Sequence, residues 1–138
     1  MARIQLALNV RDVDTAVAFY EKLFGVPPAK RRPGYANFAI VDPPLKLVLT
    51  ENPAATDRLN HLGVEVPSSG EVATEVARLH REGLRPHKED GVECCYAVQD
   101  KAWVTDPDGA PWEIYTVLAD APAPVCGAGA TTKPASCA

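Results

Sequence analysis

The chain has 138 residues, of which 46% are hydrophobic, and its formal net charge is -4 at pH 7. This length suits one domain with its own core, and the acidic balance argues against electrostatic binding of nucleic acid. The opening run MARIQLALNV has neither the apolar stretch of a signal peptide nor the length of a membrane span. We therefore expect a cytoplasmic protein with a small-molecule partner and no membrane partner.

The first half of the chain predicts a strand, a helix and then short strands. The run RIQLALNV alternates between apolar and polar residues, as strands do. Apolar side chains then recur at helical spacing until Gly25, which is typical of a helix end. The predicted elements are a strand over 3–10, a helix from Val13 to Phe24, and strands over 35–41 and 45–50.

The second half repeats this order. Its first strand, LNHLGVEV, starts at residue 59, and Ser68 with Glu71 forms a capping box for a second helix that ends at Gly83. An Asp-Pro turn precedes the last strand of each half. Later strands are predicted over 102–105 and 111–117. We therefore predict an α+β fold in which two βαβββ modules form one cupped mixed sheet.

The predicted domain spans residues 1–118, with modules at about 1–54 and 55–118. The remaining segment, 119–138, is built mainly from Ala, Pro, Gly, Ser and Thr. Such a composition has too little hydrophobic periodicity for a structural element, so we expect a flexible tail. Two of its residues, Cys126 and Cys137, receive no catalytic role.

Three polar residues occupy related positions in the two modules. Because side chains alternate across a strand, Gln5 lies on the face opposite the apolar residues of its strand, and His61 does the same in the second module. Glu113 points to that face from the last strand. The helices cover the apolar faces, so these three side chains converge on the concave face. An amide oxygen, an imidazole and a carboxylate on one side of a metal resemble a facial-triad iron site.

The simpler interpretation of these residues is structural. A lone strand histidine is more often a hydrogen-bonded residue than a ligand, and the repeat is what favours a metal site. The first-module counterpart of Glu113 is near Leu47, so only one acidic ligand is expected. His80 on the second helix and His87 in a loop are predicted to be surface or boundary residues.

Cys94 and Cys95 are adjacent in a chain that shows no disulfide framework. Neighbouring cysteines form a disulfide only through a cramped ring, so binding of a soft electrophile is the more useful role. Lys88 and Lys101 would favour the thiolate form. The alternative is a pair of small loop residues, one of them buried.

The two modules and the stretch KAWVTDPDGAPWEIYTV resemble the vicinal oxygen chelate superfamily, which includes glyoxalases, extradiol dioxygenases and fosfomycin-resistance enzymes. The stretch ECCYAVQDKAWV resembles the organoarsenical carbon-arsenic lyases and the related cadmium-induced proteins. This second resemblance implies Fe(II) as cofactor and dioxygen-dependent cleavage of the C-As bond of trivalent organoarsenicals, with release of arsenite. The implied metal ligands are Gln5, His61 and Glu113, and the implied substrate thiols are Cys94 and Cys95.

The number of thiols agrees with that substrate. Trivalent arsenic is soft and prefers thiolates. A methyl- or aryl-arsenous acid has two exchangeable oxygens, which two cysteines replace while the C-As bond stays intact. Tyr96, Lys101 and Trp103 are candidates to line or close the pocket, and we expect a mobile loop over 88–101 that carries captured substrate inward.

Two other functions stay open at this point. The first is a metal-dependent glyoxalase or thiol-transferase of the same superfamily, whose activity would not need the cysteines. The second is a non-catalytic resistance protein that binds cadmium or arsenic. The partners expected for the preferred function are an organoarsenical and dioxygen, and the protein is expected to be a monomer or a homodimer.

Overall fold

Two βαβββ modules follow one another along the chain, as the sequence predicts. The computed structural model describes residues 2–94 and 96–122. The elements are β1 (Arg3–Val10), α1 (Val13–Phe24), β2 (Lys30–Arg32), β3 (Tyr35–Ile40), β4 (Leu45–Glu51), β5 (Leu59–Glu65), α2 (Ser69–Arg81), β6 (His87–Cys94), β7 (Ala97–Thr105) and β8 (Pro111–Asp120).

All eight strands form a single curled sheet. Its order is β2-β3-β4-β1-β5-β8-β7-β6, so the two modules meet where β1 and β5 pair in antiparallel fashion. In each module the first strand also pairs in parallel with the last one, β1 with β4 and β5 with β8. The predicted α+β fold and its cupped mixed sheet are therefore confirmed.

The two helices cover the apolar face of the sheet. Asp12 caps α1 by accepting from the backbone N–H of Thr15, and Ser68 caps α2 in the same way through Glu71. The apolar stripe of α1 packs on β3 and β4, and that of α2 packs on β8. The residues buried in these two cores are Val10, Val13, Val17, Ala36, Phe38, Ile40, Leu47 and Leu49 in the first, and Val66, Val72, Leu79 and Ile114 in the second.

The prediction of a mobile loop over 88–101 is wrong. These residues belong to a hairpin of β6 and β7, in which Cys94 pairs with Ala97 at the turn. His87, predicted to lie in a loop, begins β6, and it is exposed like His80. The sequence of β6, HKEDGVEC, does not predict a strand, because an edge strand of this kind has few apolar residues.

The last strand is longer than the sequence indicates. It runs to Asp120, beyond residue 118 where we placed the end of the domain. Residues 123–138, with Cys126 and Cys137, lie outside the described part of the chain. Among the described residues, no helix has both the length and the apolar character needed to cross a bilayer.

The tip of the β6–β7 hairpin packs against the first module. Tyr96 at this tip has a φ of 63° and is 6% exposed. Its ring centroid lies 5.2 Å from that of Tyr35, and the Arg32 guanidinium lies 5.6 Å from the same ring. Its carbonyl accepts from Lys30 Nζ at 3.0 Å and from the backbone N–H of Ala121 at 2.9 Å. These contacts hold the hairpin tip over the concave face.

Replacing Tyr96 by Ala should loosen this tip. The substitution removes the ring that packs on Tyr35, at a cost of about 3 kcal/mol in the free energy of unfolding. Amide hydrogen exchange should accelerate in the tip ends of β6 and β7 and stay slow in β1 and β4. Tyr96→Phe keeps the ring and should exchange like the wild type; equal acceleration in both variants would show that the ring is not what holds the tip.

Candidate functional site

Three strands bring the candidate ligands together in the cup. Gln5 on β1 is opposite Gly63 on β5, and Gly63 is opposite Glu113 on β8. His61 precedes Gly63 by two residues, so both lie on the same face. Its Nε2 is 2.8 Å from Oε2 of Glu113. Gln5, His61 and Glu113 are all 0% exposed, so a polar cluster lies inside the sheet.

Gly63 makes this convergence sterically feasible. A Cβ at this position would lie 2.6 Å from Oε1 of Gln5 and 2.8 Å from the carbonyl oxygen of Glu113. It would also lie 3.0 Å from Cγ of Glu113. Gly63 was not among the site residues predicted from sequence, although a glycine inside a strand often marks a close approach to the backbone.

Lys101 balances the charge of the buried carboxylate. Its Nζ lies 2.9 Å from Oε1 of Glu113, and both side chains are fully buried. The contact is therefore a buried ion pair. Burial by itself would raise the pKa of Glu113, but the charges of Lys101 and His61 outweigh burial and hold this pKa at about 2. Glu113 is therefore an anion at neutral pH.

Trp103 closes one side of the cluster. Its ring is 5.2 Å from the imidazole of His61, centroid to centroid, and 5.5 Å from Nζ of Lys101. Its indole N–H donates to Oε1 of Glu89 at 3.3 Å, which fixes the ring. Two of the three predicted pocket residues, Lys101 and Trp103, thus contact the candidate ligands, whereas Tyr96 lies at the hairpin tip.

The donor set fits a divalent metal ion. Within the described part of the chain, neither Oε1 nor Nε2 of Gln5 has a hydrogen-bond partner, although the side chain is buried. Buried polar atoms are rarely left unsatisfied, and an amide oxygen beside an imidazole and a carboxylate is a donor set that a cation would satisfy. No cluster of three or more His, Cys, Asp or Glu suited to a metal occurs among the described residues. One of the three candidate donors is the amide of Gln5, and glutamine is not among these four residue types.

The counterpart of Glu113 in the first module is Val48, and the sequence-based position near Leu47 is wrong by one residue. Ala7 on β1 pairs with Val48 as Gly63 on β5 pairs with Glu113. Leu47 belongs to the core on the other face. A shift of one residue moves a strand side chain to the opposite face. Because Val48 is apolar, the first module supplies no carboxylate at this position.

A cavity of about 180 Å³ lies on the concave face next to this cluster, although none of the three candidate ligands lines it. Tyr115 and Gln99 line it. Tyr115 follows Glu113 by two residues on β8, and Gln99 precedes Lys101 by two residues on β7. The hydroxyl of Tyr115 is buried without a partner among the described residues, and burial raises its pKa well above the usual value. A larger cavity, about 540 Å³, lies beside the start of α1, and no candidate ligand lines it.

The hairpin tip also borders this smaller cavity. Ala97 lines the cavity and pairs with Cys94, the last residue of β6. Cys95 lies outside the described residues. The backbone thus puts Cys94 near a cavity whose lining also includes Gln99 and Tyr115.

Known proteins resemble this chain in sequence and in fold. The profile of the glyoxalase/bleomycin resistance protein/dioxygenase superfamily matches residues 3–114. The chain is 63% identical over 120 residues to the cadmium-induced protein CadI of Mycobacterium tuberculosis (strain ATCC 25618 / H37Rv), a match that covers 87% of this chain and 79% of CadI. It is 58% identical over 123 residues to the trivalent organoarsenical cleaving enzyme of Thermomonospora curvata, covering 88% and 81%.

A solved structure supports the fold. The Mn(II)-bound glyoxalase from Novosphingobium aromaticivorans superposes with a TM-score of 0.60 at 20% sequence identity. The match covers 88% of this chain and 42% of that one. The two proteins are alike in fold, and the glyoxalase is bound to a divalent metal.

Replacing Gly63 by Ala should damage the cluster. The side chain of Gln5 can move away from the new methyl group, but the carbonyl of Glu113 can move only if β5 and β8 separate. We expect a loss of about 1–3 kcal/mol in the free energy of unfolding and weaker binding of divalent metal. Gly70→Ala is a matched control, because the nearest atom to its Cβ would be 3.7 Å away. Wild-type stability and metal affinity in Gly63→Ala would contradict this packing.

The low pKa of Glu113 predicts a pH dependence of stability. Its ordinary pKa is 4.5 and its folded value about 2, so the ionised form stabilises the folded state above pH 4.5, and this stability is lost as the pH falls towards 2. The contribution is on the order of 3 kcal/mol. Urea unfolding at several pH values should show a shallower pH slope in Glu113→Gln than in the wild type. The exposed Glu82→Gln serves as control, and equal slopes in Glu113→Gln and the wild type would refute the prediction.

Proposed function

Because the chain belongs to the glyoxalase/bleomycin resistance protein/dioxygenase superfamily, we propose that it is an Fe(II)-dependent enzyme that cleaves the carbon-arsenic bond of trivalent organoarsenicals. The observation that carries this proposal is the buried convergence of Gln5, His61 and Glu113, next to a cavity whose lining includes Ala97, the residue that pairs with Cys94. Relatives named as trivalent organoarsenical cleaving enzymes support the choice of substrate.

Gln5, His61 and Glu113 would hold the metal. Their three donors leave the remaining coordination positions open. Fe(II) in this site would supply a centre that binds and activates dioxygen next to the substrate. Glu113 is already an anion before a metal binds, because Lys101 stabilises its charge. No proton therefore has to leave the carboxyl group when a cation binds.

The adjacent thiols would hold the arsenic atom. Both oxygens of an organoarsenous acid exchange for the thiolates of Cys94 and Cys95, and the bond to carbon stays free to react. For methylarsonous acid and one dioxygen molecule, the atoms balance as arsenous acid and formaldehyde. Both oxygen atoms are thus consumed, and no external reductant is required.

The chain's other residues would orient the substrate and exclude water. Trp103 covers His61, and Tyr96 holds the hairpin tip down on Tyr35. Holding the carbon near the metal site can lower the activation barrier by a large part in reactions of this kind. The cavity of about 180 Å³ is several times the volume of one water molecule, about 30 Å³. It therefore has room for an organic group larger than methyl.

A second function is a cadmium-binding or arsenic-binding protein without catalysis. The observation in its favour is the 63% identity to a protein named for its induction by cadmium. Such a protein needs the thiols but not a charge-balanced carboxylate in the cup. Loss of function in Glu113→Ala would therefore favour the enzyme, and unchanged function in this variant would favour the binding protein.

The proposed reaction predicts product formation under defined conditions. Protein loaded with Fe(II) under anaerobic conditions, then mixed with methylarsonous or phenylarsonous acid and air, should consume oxygen and release arsenite. Glu113→Ala should lower the rate by at least about 100-fold, since it removes the only anionic ligand. Cys95→Ser should abolish turnover at low substrate concentration. Arsenite is measured by ion chromatography with elemental detection, and dioxygen with an electrode.

The tail cysteines provide the control. Cys126→Ser and Cys137→Ser should turn over like the wild type, because the proposal gives these thiols no role. Tight cadmium or arsenic binding without arsenite release would favour the second function. Turnover of a hemithioacetal by the Ni(II) or Mn(II) protein, unchanged in Cys95→Ser, would instead identify a glyoxalase.

A further inference from the structure

Two asparagines form a hydrogen-bonded chain that ends at His61. Nδ2 of Asn9 donates to the backbone carbonyl of Asp57 at 3.0 Å. Nδ2 of Asn60 donates to Oδ1 of Asn9 at 2.9 Å. Oδ1 of Asn60 lies 2.7 Å from Nδ1 of His61. The chain therefore runs from a backbone carbonyl to the side of the imidazole that faces away from Glu113.

A register irregularity brings the two modules together at this point. On β1, Ala7 pairs with His61, whereas the next residue, Leu8, pairs with Leu59. Asn60 is therefore left outside the ladder, as the extra residue of a bulge. Neighbouring strand residues normally point to opposite faces, and the bulge explains why Asn60 reaches the imidazole of His61.

The backbone carbonyl sets the direction of every bond in this chain. A carbonyl only accepts, so Asn9 must present its amino group to Asp57 and its oxygen to Asn60. Asn60 then donates its amino group and presents its oxygen to His61. An imidazole nitrogen that faces a carbonyl oxygen has to carry a hydrogen, which assigns the proton to Nδ1. The backbone N–H of Asn9, bound to the carbonyl of Arg58 at 2.7 Å, keeps Asn9 in place.

We propose that Asn9 and Asn60 are positioning residues that fix the ring of His61 by holding a hydrogen on Nδ1, so that Nε2, which faces Glu113, is the ring nitrogen left for the metal. The inference rests on the proposed metal centre and adds the residues that prepare it. A ring without a hydrogen on Nδ1 would place two acceptor atoms, Nδ1 and Oδ1 of Asn60, 2.7 Å apart. Reversing the amides to avoid this would place Oδ1 of Asn9 against the carbonyl oxygen of Asp57.

The arrangement has a known physical benefit. Histidine ligands usually donate their second ring N–H to an oxygen, which orients the ring and makes the other nitrogen a better donor. Here the accepting oxygen is itself oriented by a residue of the other module. Metal affinity would thus depend on contact between β1 and β5 at a distance from the metal.

The test compares metal binding in variants that keep or remove the acceptor. All variants carry serine at the four cysteine positions, so that thiolates do not compete for metal. Asn60→Leu removes the acceptor at similar size, Asn60→Asp keeps it, and Asn9→Leu removes its support. Asn52→Leu, at an exposed asparagine, is the matched control. Optical titration with Co(II) gives the dissociation constants, and thermal unfolding reports on the fold.

We expect Co(II) affinity to fall about 10- to 100-fold in Asn60→Leu, the usual size for a partner of a metal-bound histidine. The affinity of Asn9→Leu should fall by less. Asn60→Asp keeps the acceptor for His61 but loses the donor to Asn9, so its affinity should lie between those of Asn60→Leu and the parent. Proton NMR of the Co(II) protein should show one shifted, solvent-exchangeable resonance from Nδ1–H of His61. In Asn60→Leu this proton should exchange with solvent far faster.

The possible outcomes separate the inference from the proposed function. A parent protein that binds no Co(II) or Fe(II) would refute the metal centre and the inference together. Tight metal binding by the parent, with the same affinity and the same slow proton in Asn60→Leu, would refute the inference alone. A higher Co(II) affinity in Asn60→Asp than in Asn60→Leu, without a matching difference in thermal stability, would support positioning over a purely structural role.

Discussion

The structure depends on burying one carboxylate in the middle of a sheet. Glu113 is 0% exposed, and an isolated charge in such a place is not tolerated. Lys101 and His61 supply positive or proton-donating partners on two sides, and they keep the carboxyl group ionised. A buried ion pair of this kind adds little to stability compared with a hydrophobic pair, so its presence indicates a functional demand on the site.

That demand shapes the strands around the carboxylate. Gly63 has to be a glycine so that β5 and β8 can pair while the amide of Gln5 approaches from β1. The first module repeats the topology without the charge, since Val48 takes the place of Glu113 and packs with Ala7 and Tyr35. The charged members of the cluster therefore all come from the second module, and the first module contributes the neutral side chain of Gln5.

The repeat made the fold and the three candidate ligands predictable from sequence. Alternation along a strand is strict, so a residue that opposes a core position must point into the cup, and Gln5 and His61 follow this rule. The β6–β7 hairpin was missed because an edge strand shows no apolar alternation. The contact of Asn60 with His61 was not predictable either, since it arises from a bulge that has no clear sequence signal.

The hairpin that was not predicted is also the element that would connect the proposed substrate thiols with the proposed metal site. A mobile loop would have to find the cup after capturing the arsenic, at the entropic cost of ordering its residues. A paired hairpin whose tip is held by Lys30 and Tyr35 has already paid most of that cost. β7 runs from this tip through Gln99 to Lys101, beside Glu113, so one strand connects Ala97, the partner of Cys94, with the charged cluster. Under the proposed function, catalysis would depend less on loop closure than on how well the cavity beside these residues fits the organic group.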